Sequence, residues 1–324
     1  FFHVPLERKS LNPIKEFRSL FVILKTFYKL KPDIVHLITI KAYIYGGIAA
    51  RLTRVPCVVS AVAGLGILSN QKRFKNIVIQ KILYLLFYFS FNHHNQKIIV
   101  QNIDDKNKLI NWIGLDKNKI LLFRGSGIDL SLFKNLDETN NITTVCFASR
   151  LLRDKGVFDY VSAARIIKKR GIKVKFILAG NLDTSNPSSL TNQELNLIKK
   201  EKIVEVLGFY KDIPKLFAKS HIVCLPSFYG EGLPKVLLEA AAASRAVVTT
   251  DSPGCRDAII PNKTGLLVPI NNSQKLADAL QRLIENNAER VSMGKAGRNL
   301  AKQEFQVEKI VEKHLNIFER LLAN

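Results

Sequence analysis

Short apolar runs of four to six residues alternate with longer stretches of helical periodicity over nearly the whole chain. This alternation is the signature of βα units that close into parallel sheets. In the first half the runs predict strands at 33–38, 57–62, 97–101 and 120–123, with helices at 14–30, 42–53, 72–92 and 104–112. The second half predicts strands at 144–148, 174–179, 204–207, 222–225, 246–250 and 265–268. Its helices fall at 156–170, 191–200, 213–219, 233–243, 274–286, 288–303 and 307–322. The runs are near-continuous in apolar character, as strands covered on both faces should be. A polar stretch at 136–141 reads as a linker. For 324 residues, at roughly 150 residues per domain, the pattern predicts an α/β chain of two doubly wound Rossmann-like domains, 1–137 and 138–306. The helix at 307–324 follows and is expected to cross back to the first domain.

Composition excludes several classes. A hydrophobic content of 47% with 23% charged residues is that of a globular chain, not a disordered or collagen-like one. The longest apolar run, 77–91, is interrupted by Gln80 and Lys81 and falls short of the roughly 18 to 20 residues of a spanning helix, so no transmembrane segment is expected. The chain begins at Phe1 and shows no signal-peptide pattern. Cys57, Cys146, Cys224 and Cys255 lack C-x-x-C spacing, and the first three lie in strand-like runs. They read as buried thiols in a reducing cytoplasm. His93 and His94 are adjacent, so their side chains diverge, and no H-x-x-x-H occurs; no metal site is expected.

In open parallel sheets ligands bind beyond the carboxyl ends of the strands. After the strand at 144–148 comes Ser149-Arg150-Leu151-Leu152-Arg153-Asp154-Lys155-Gly156. Arg150 offers a fork of donors, Lys155 a point charge, and the following helix start a favourable dipole. A diphosphate suits this loop; two surface cations solvating it is the plain alternative. After the strand at 222–225 comes Pro226-Ser227-Phe228-Tyr229-Gly230-Glu231-Gly232-Leu233-Pro234, and then an Ala- and Leu-rich helix containing Glu239. Pro234 fits a first helical turn. Glu239 lies roughly 7 to 8 Å further along the axis, so the two carboxylates suit hydroxyls on distant parts of one elongated ligand. An acid on an apolar helix face is costly unless it finds donors, and a salt bridge would also meet that need.

Taken together, Ser149-Arg150-Leu151 with Asp154-Lys155-Gly156, Pro226-Ser227 with Glu231-Gly232-Leu233-Pro234, the glutamates 231 and 239, and Ser252-Pro253-Gly254-Cys255-Arg256-Asp257 resemble glycosyltransferase family 4. Gly265-Leu266-Leu267-Val268-Pro269 and Met293-Gly294 follow in the family's order. The resemblance runs from about residue 5 to the C-terminus. It implies a retaining GT-B enzyme, two Rossmann-like domains facing across a cleft, and a hexosyl- or N-acetylhexosaminyltransferase. Within the family the chain is most similar to capsule, O-antigen and N-glycan assembly enzymes that extend undecaprenyl-diphosphate-linked sugars.

The resemblance further implies roles. Arg150 and Lys155 hold the donor diphosphate, Glu239 the ribose, and Glu231 the transferred sugar. Backbone groups of Gly232, Leu233, Pro234 and Lys235 complete the cradle, and Phe209 and Tyr210 lie where the family contacts the base. The donor is expected to be a UDP-sugar. Fixed cations stabilise the charge that grows on the departing diphosphate, so no metal or other cofactor is expected. Retention implies same-face attack without a protein general base. The family's first domain opens with a strand and a Gly-rich loop, whereas residues 1–6 read as a later strand, so at least one βα unit is expected to be missing. Where many members carry an acceptor-side His, this chain has Ala61-Val62-Ala63-Gly64-Leu65-Gly66; Gly64, Leu65 and Gly66 are the acceptor-side candidates.

The formal net charge is +22, and residues 1–100 hold 15 basic against 3 acidic side chains. Lys72, Arg73 and Lys75 lead into the apolar run 77–89, which fits either an interfacial segment on an anionic bilayer or a helix buried beneath the sheet. The segment 18–31 is similar and also reads as an ordinary amphipathic helix. Peripheral association with the cytoplasmic face of the membrane is the expectation that a lipid-linked acceptor brings. Charge alone also suggests a nucleic-acid partner, but no such motif accompanies it, and none is expected. A UDP-sugar 2-epimerase-like enzyme and a non-catalytic nucleotide-binding remnant are the remaining alternatives.

Overall fold

Strands this apolar need cover on both faces, and the chain provides it in two units, residues 1–123 with 310–324 and residues 124–309. The structure, a computed structural model, describes residues 1–6, 12–65, 77–134, 138 and 142–323. The first unit runs α1 (Pro13–Leu30), β1 (Ile34–Ile38), α2 (Ile40–Leu52), β2 (Cys57–Val62), α3 (Ile77–Phe91), β3 (Gln96–Val100), α4 (Ile103–Ile113) and β4 (Ile120–Leu122). The second runs β5 (Thr144–Ala148), α5 (Val157–Lys169), β6 (Lys175–Ala179), α6 (Asn192–Glu201), β7 (Glu205–Gly208), α7 (Ile213–Ala218), β8 (Ile222–Leu225), α8 (Lys235–Ala242), β9 (Ala246–Thr250), β10 (Gly265–Val268), α9 (Ser273–Glu285) and α10 (Asn287–Leu300). A last helix, α11 (Val307–Leu322), begins in the second unit and carries the residues that return to the first.

The first unit holds a four-stranded parallel sheet in the order β1-β2-β3-β4. One face packs Val58, Val62 and Ile98 against Tyr43 of α2, Phe87 and Phe91 of α3 and Leu109 of α4. Each buried ring contributes roughly 2–3 kcal/mol. The other face, Cys57, Val59, Ile99 and Phe123, is covered by Ile317 and Leu321 of α11. Local signals set the helix ends: Asn12 accepts from Ile14 N with Pro13 at the first turn of α1, and Asn102 and Gly114 cap the two ends of α4.

Three expectations change here. Residues 1–6 join no sheet: Pro5 has no N–H to give a ladder, and Leu6 N turns back to Val4 O at 2.8 Å. The first unit ends at Phe123, earlier than the linker suggested. Residues after it belong to the second unit because Ile128 N bonds to Phe305 O (2.7 Å) and Val307 N to Ile128 O (3.1 Å). Of the expected linker, only Glu138 lies among the described residues, held by the buried Arg290 guanidinium at 2.8 Å. Pro234 precedes α8 as its N-cap and is not in the first turn.

The second sheet is parallel, six-stranded and ordered β10-β9-β8-β5-β6-β7. The chain leaves β5 towards β6 and β7, then returns to β8 on the other side of β5. That reversal is the switch point at which an open α/β sheet gathers its ligand.

Candidate functional site

The loops after β5 and β8 leave neighbouring strands, Val145 lying opposite Ile222, and the loop after β9 leaves the next strand along. Small residues let the three loops meet. Gly156 has φ +76°, and a Cβ there would stand 2.1 Å from Pro226 O. Gly254 has φ +80°, and its Cβ would stand 2.4 Å from Gly232 O. Phe228 N donates to Asp154 O at 3.1 Å. The fully buried Ser227 hydroxyl lies 3.1 Å from Asp154 O and 2.9 Å from Glu231 Oε1. Thr250 and Ser252 donate their hydroxyls to Ser227 O, the latter at 2.8 Å.

This scaffold brings together Lys155 and Glu231, whose Nζ and Oε2 are paired with only 12% and 13% of the side chains exposed. The two are far apart in sequence, and the fold places a partly desolvated cation and anion where loops β5 and β8 touch. Arg150 points elsewhere: its Nη1 donates to Asp183 Oδ2 at 2.7 Å, and 48% of its side chain is exposed. Asp183 sits in the loop after β6, which draws close because Gly180, φ +150°, leaves no room for a Cβ beside Ser149 O.

Glu239 stands on α8, largely buried, and that burial pushes its carboxyl above the ordinary range, with Lys235 pulling the other way. The Lys235 ammonium is 4.0 Å away and well exposed. Gly232 is buried, as are Leu233 and Pro234, and α8 starts directly after them, the kind of helix end that favours anions. Phe209 and Tyr210 follow β7 at the same edge of the sheet; Phe209 is 70% exposed and Tyr210 packs on the core. Among the described residues no group of three His, Cys, Asp or Glu side chains is placed to hold a metal.

In the first unit the loop after β2 carries Gly64, at φ +113°, and Leu65, buried. Leu65 N donates to Asp105 Oδ2 at 3.2 Å. Asp105 also accepts from Asn102 Nδ2 at 2.9 Å, and burial raises its carboxyl above the usual range. Gly66 lies outside the described residues, as do Lys72, Arg73 and Lys75. The sequence gives no role to Asp183 or Asp105, and Ser227 stands there only within the Pro226-Ser227 motif. Each follows a strand end by a few residues, the one signal that marks the two aspartates.

Residues 131–300 match the family of glycosyl transferases group 1, and residues 2–102 match the glycosyl transferase 4-like family. The chain is 29% identical to the N,N'-diacetylbacillosaminyl-diphospho-undecaprenol alpha-1,3-N-acetylgalactosaminyltransferase of Campylobacter jejuni, over 98% of the chain and 85% of that protein. It is 28% identical to the UDP-Gal:alpha-D-GlcNAc-diphosphoundecaprenol alpha-1,3-galactosyltransferase of Escherichia coli, over 100% and 84%. Among solved structures, Anabaena HepE in complex with UDP superposes with a TM-score of 0.77 at 21% identity, over 93% of this chain and 82% of that one. Sucrose-phosphate synthase from Thermosynechococcus elongatus gives 0.79 at 20% identity, over 98% and 82%.

Proposed function

Because the chain belongs to the glycosyl transferases group 1, a glycosyltransferase with the two Rossmann-like units of the GT-B fold, we propose that it transfers a sugar from UDP to an undecaprenyl-diphosphate-linked glycan with retention. The observation that carries the donor half of this reading is the Lys155–Glu231 pair, held by Ser227 at the sheet's switch point. A donor diphosphate entering there takes Lys155 as its cation, and Glu231 is released to accept from sugar hydroxyls. Arg150, exposed and tethered to Asp183, swings onto the diphosphate as a second cation. As the bond from the anomeric carbon to the phosphate oxygen breaks, the acceptor hydroxyl oxygen bonds to that carbon from the same face and its proton passes to the departing phosphate oxygen, whose growing charge the two cations stabilise more than in the ground state. Glu239 accepts from the ribose, and Phe209 and Tyr210 border the base.

The acceptor reading is supported by relatives whose names specify diphosphoundecaprenol-linked sugars. It is further supported by the excess of basic residues in the first hundred positions. No helix among the described residues is long and apolar enough to cross a membrane. The relatives' lipid-linked acceptors support the proposal that the protein reaches its acceptor by peripheral association with the cytoplasmic face of the membrane. The cations supply the charge that a metal provides elsewhere, and transfer is proposed to need no metal. The test is transfer from radiolabelled UDP-sugars to undecaprenyl-diphosphate-linked acceptors, with and without a chelator. Transfer that persists in chelator, with UDP raising the melting temperature saturably, is the expected result; chelator-abolished transfer restored by a divalent cation would overturn the metal-free part.

A further inference from the structure

The loop after β5 carries two arginines that the structure uses differently. Arg153 is committed: its Nη1 donates to Ser189 O at 2.5 Å and its Nη2 to both carboxylate oxygens of Glu194 at 2.7 Å. Among the described residues the Arg150 guanidinium makes one contact, Nη1 to Asp183 Oδ2 at 2.7 Å, and almost half of that side chain is exposed. Asp183 is the fixed half of the contact. Its side chain is largely covered, its N–H donates to Ser189 Oγ at 3.1 Å, and its Oδ1 accepts from Ser185 Oγ at 2.7 Å. The segment that carries it is fastened to the loop after β5 by Leu151 N to Asn181 O (2.9 Å), Arg153 N to Ser188 O (2.7 Å) and Leu190 N to Leu151 O (2.9 Å). Asp154 N donates to Ser188 Oγ at 3.1 Å as well. Asp183 Oδ2 therefore has a set position beside the diphosphate loop, and the guanidinium is the partner that can move.

We propose that Asp183 is a positioning residue for Arg150: it parks the guanidinium beside the diphosphate loop while the site is empty, yields it to the donor diphosphate, and takes it back as UDP departs. The inference rests on the diphosphate role proposed above for Arg150 and adds the counter-ion that competes for it. Carboxylate and phosphate oxygens are the two partners a guanidinium fork matches best, so one can replace the other without a change of geometry at the nitrogen. The strength of the resting contact decides whether the exchange is feasible. Three contacts, as Arg153 has, hold a guanidinium in place. With no contact the long side chain is ordered only when the donor arrives, at a cost in side-chain entropy. One contact at a half-exposed side chain lies between these limits, and such a pair shifts an equilibrium by no more than about fivefold. Arg150 is thus placed in advance and still exchangeable, and the same competition favours loss of UDP once the sugar has left.

The experiment is calorimetric titration of UDP, together with donor KM and inhibition of transfer by UDP. It is run on wild type, Asp183→Asn, Asp183→Glu, Arg150→Ala and Arg150→Ala/Asp183→Asn, with thermal melting to verify the fold of each. Asp183→Asn removes the competing charge and keeps an acceptor for Ser185. It should bind UDP about three- to fivefold more tightly, with donor KM and the inhibitory UDP concentration lowered in step and acceptor KM unchanged. Asp183→Glu, which keeps the charge, should stay within about twofold of wild type. Arg150→Ala should weaken UDP by at least about tenfold. Adding Asp183→Asn to it should change affinity by less than about twofold, because Asp183 acts through Arg150. Weaker or unchanged UDP binding by Asp183→Asn, or failure of that variant to fold, makes Asp183 a staple of its own loop and overturns the proposal. The same gain in the Arg150→Ala background shows direct repulsion of the diphosphate and also overturns it. In each of these cases Arg150→Ala alone still weakens UDP and the diphosphate reading stands. UDP bound equally by wild type and Arg150→Ala overturns that reading and the proposal with it.

Discussion

The loops after β5 and β8 and the loop after β2 occupy the same place in a βα unit, yet they are built differently. In the second unit two glycines, three hydroxyls and an ion pair knit three loops into one body. In the first unit Leu65 is fastened by a backbone hydrogen bond to one carboxylate, Asp105. The contrast follows from the ligands proposed for them. A diphosphate has fixed charge and must meet fixed charge, whereas an acceptor glycan is neutral over most of its surface and is met by shape.

The largest test of that contrast is Lys155→Ala. Transfer should fall by about 10²–10³-fold, and stability by about 3 kcal/mol because Glu231 is left partly buried without its cation. The double variant Lys155→Met/Glu231→Gln should recover the stability by thermal melting and not the activity. Recovery of both would mean that the pair is structural. Next comes a matched pair of glycines. Gly156 and Gly114 share a left-handed backbone at φ +76° and +72°, but a Cβ at Gly156 strikes Pro226 O while Gly114 faces nothing within 4 Å. Gly156→Ala should cost about 3 kcal/mol, strain plus overlap, and Gly114→Ala about 1 kcal/mol, strain alone. Equal losses in denaturant melts would show that the loop contact contributes nothing.

Glu239 gives a smaller and signed effect. Its carboxyl is raised by burial, so its contribution to stability is present below the unfolded value and lost as pH rises through the folded one. At neutral pH the ionised group therefore costs stability. Glu239→Gln should melt slightly higher than wild type at pH 7 yet bind UDP about tenfold more weakly, and wild-type UDP affinity should decline on the acid side while the variant's does not. Calorimetric titration across pH reads both. Smallest is Asp105→Ala: the KM for acceptor should rise about fivefold as the Leu65 loop loosens, with the donor KM unchanged. A donor effect of the same size would break the division between the units.

In the second unit β5, β8, β9 and β10 were legible because none carries a charged residue, and they begin and end where the residues suggest; β6 and β7 open on Lys175 and Glu205, one residue after the expected starts. Residues 1–6 look equally apolar but contain Pro5, whose missing donor matters only once a ladder is attempted. The chemistry of the site was legible as residue types at strand ends. Its pairings were not, since nothing local links Lys155 to Glu231, 76 positions on, or Arg150 to Asp183, 33 positions on. The sequence of α1 shows an amphipathic helix; only the inward turn of Glu16 towards Lys41 and Tyr45 reveals that its aromatic side faces out.

The division of α11 bears on how the protein is made. Residues 1–123 leave the ribosome before residues 310–324, but the sheet face of Cys57, Val59, Ile99 and Phe123 is covered by Ile317 and Leu321. The second unit, residues 124–309, is therefore an insertion within the first and is synthesised whole while that face is still bare. The first unit is completed only after the second has been synthesised, and during translation its apolar sheet is a surface in need of a chaperone.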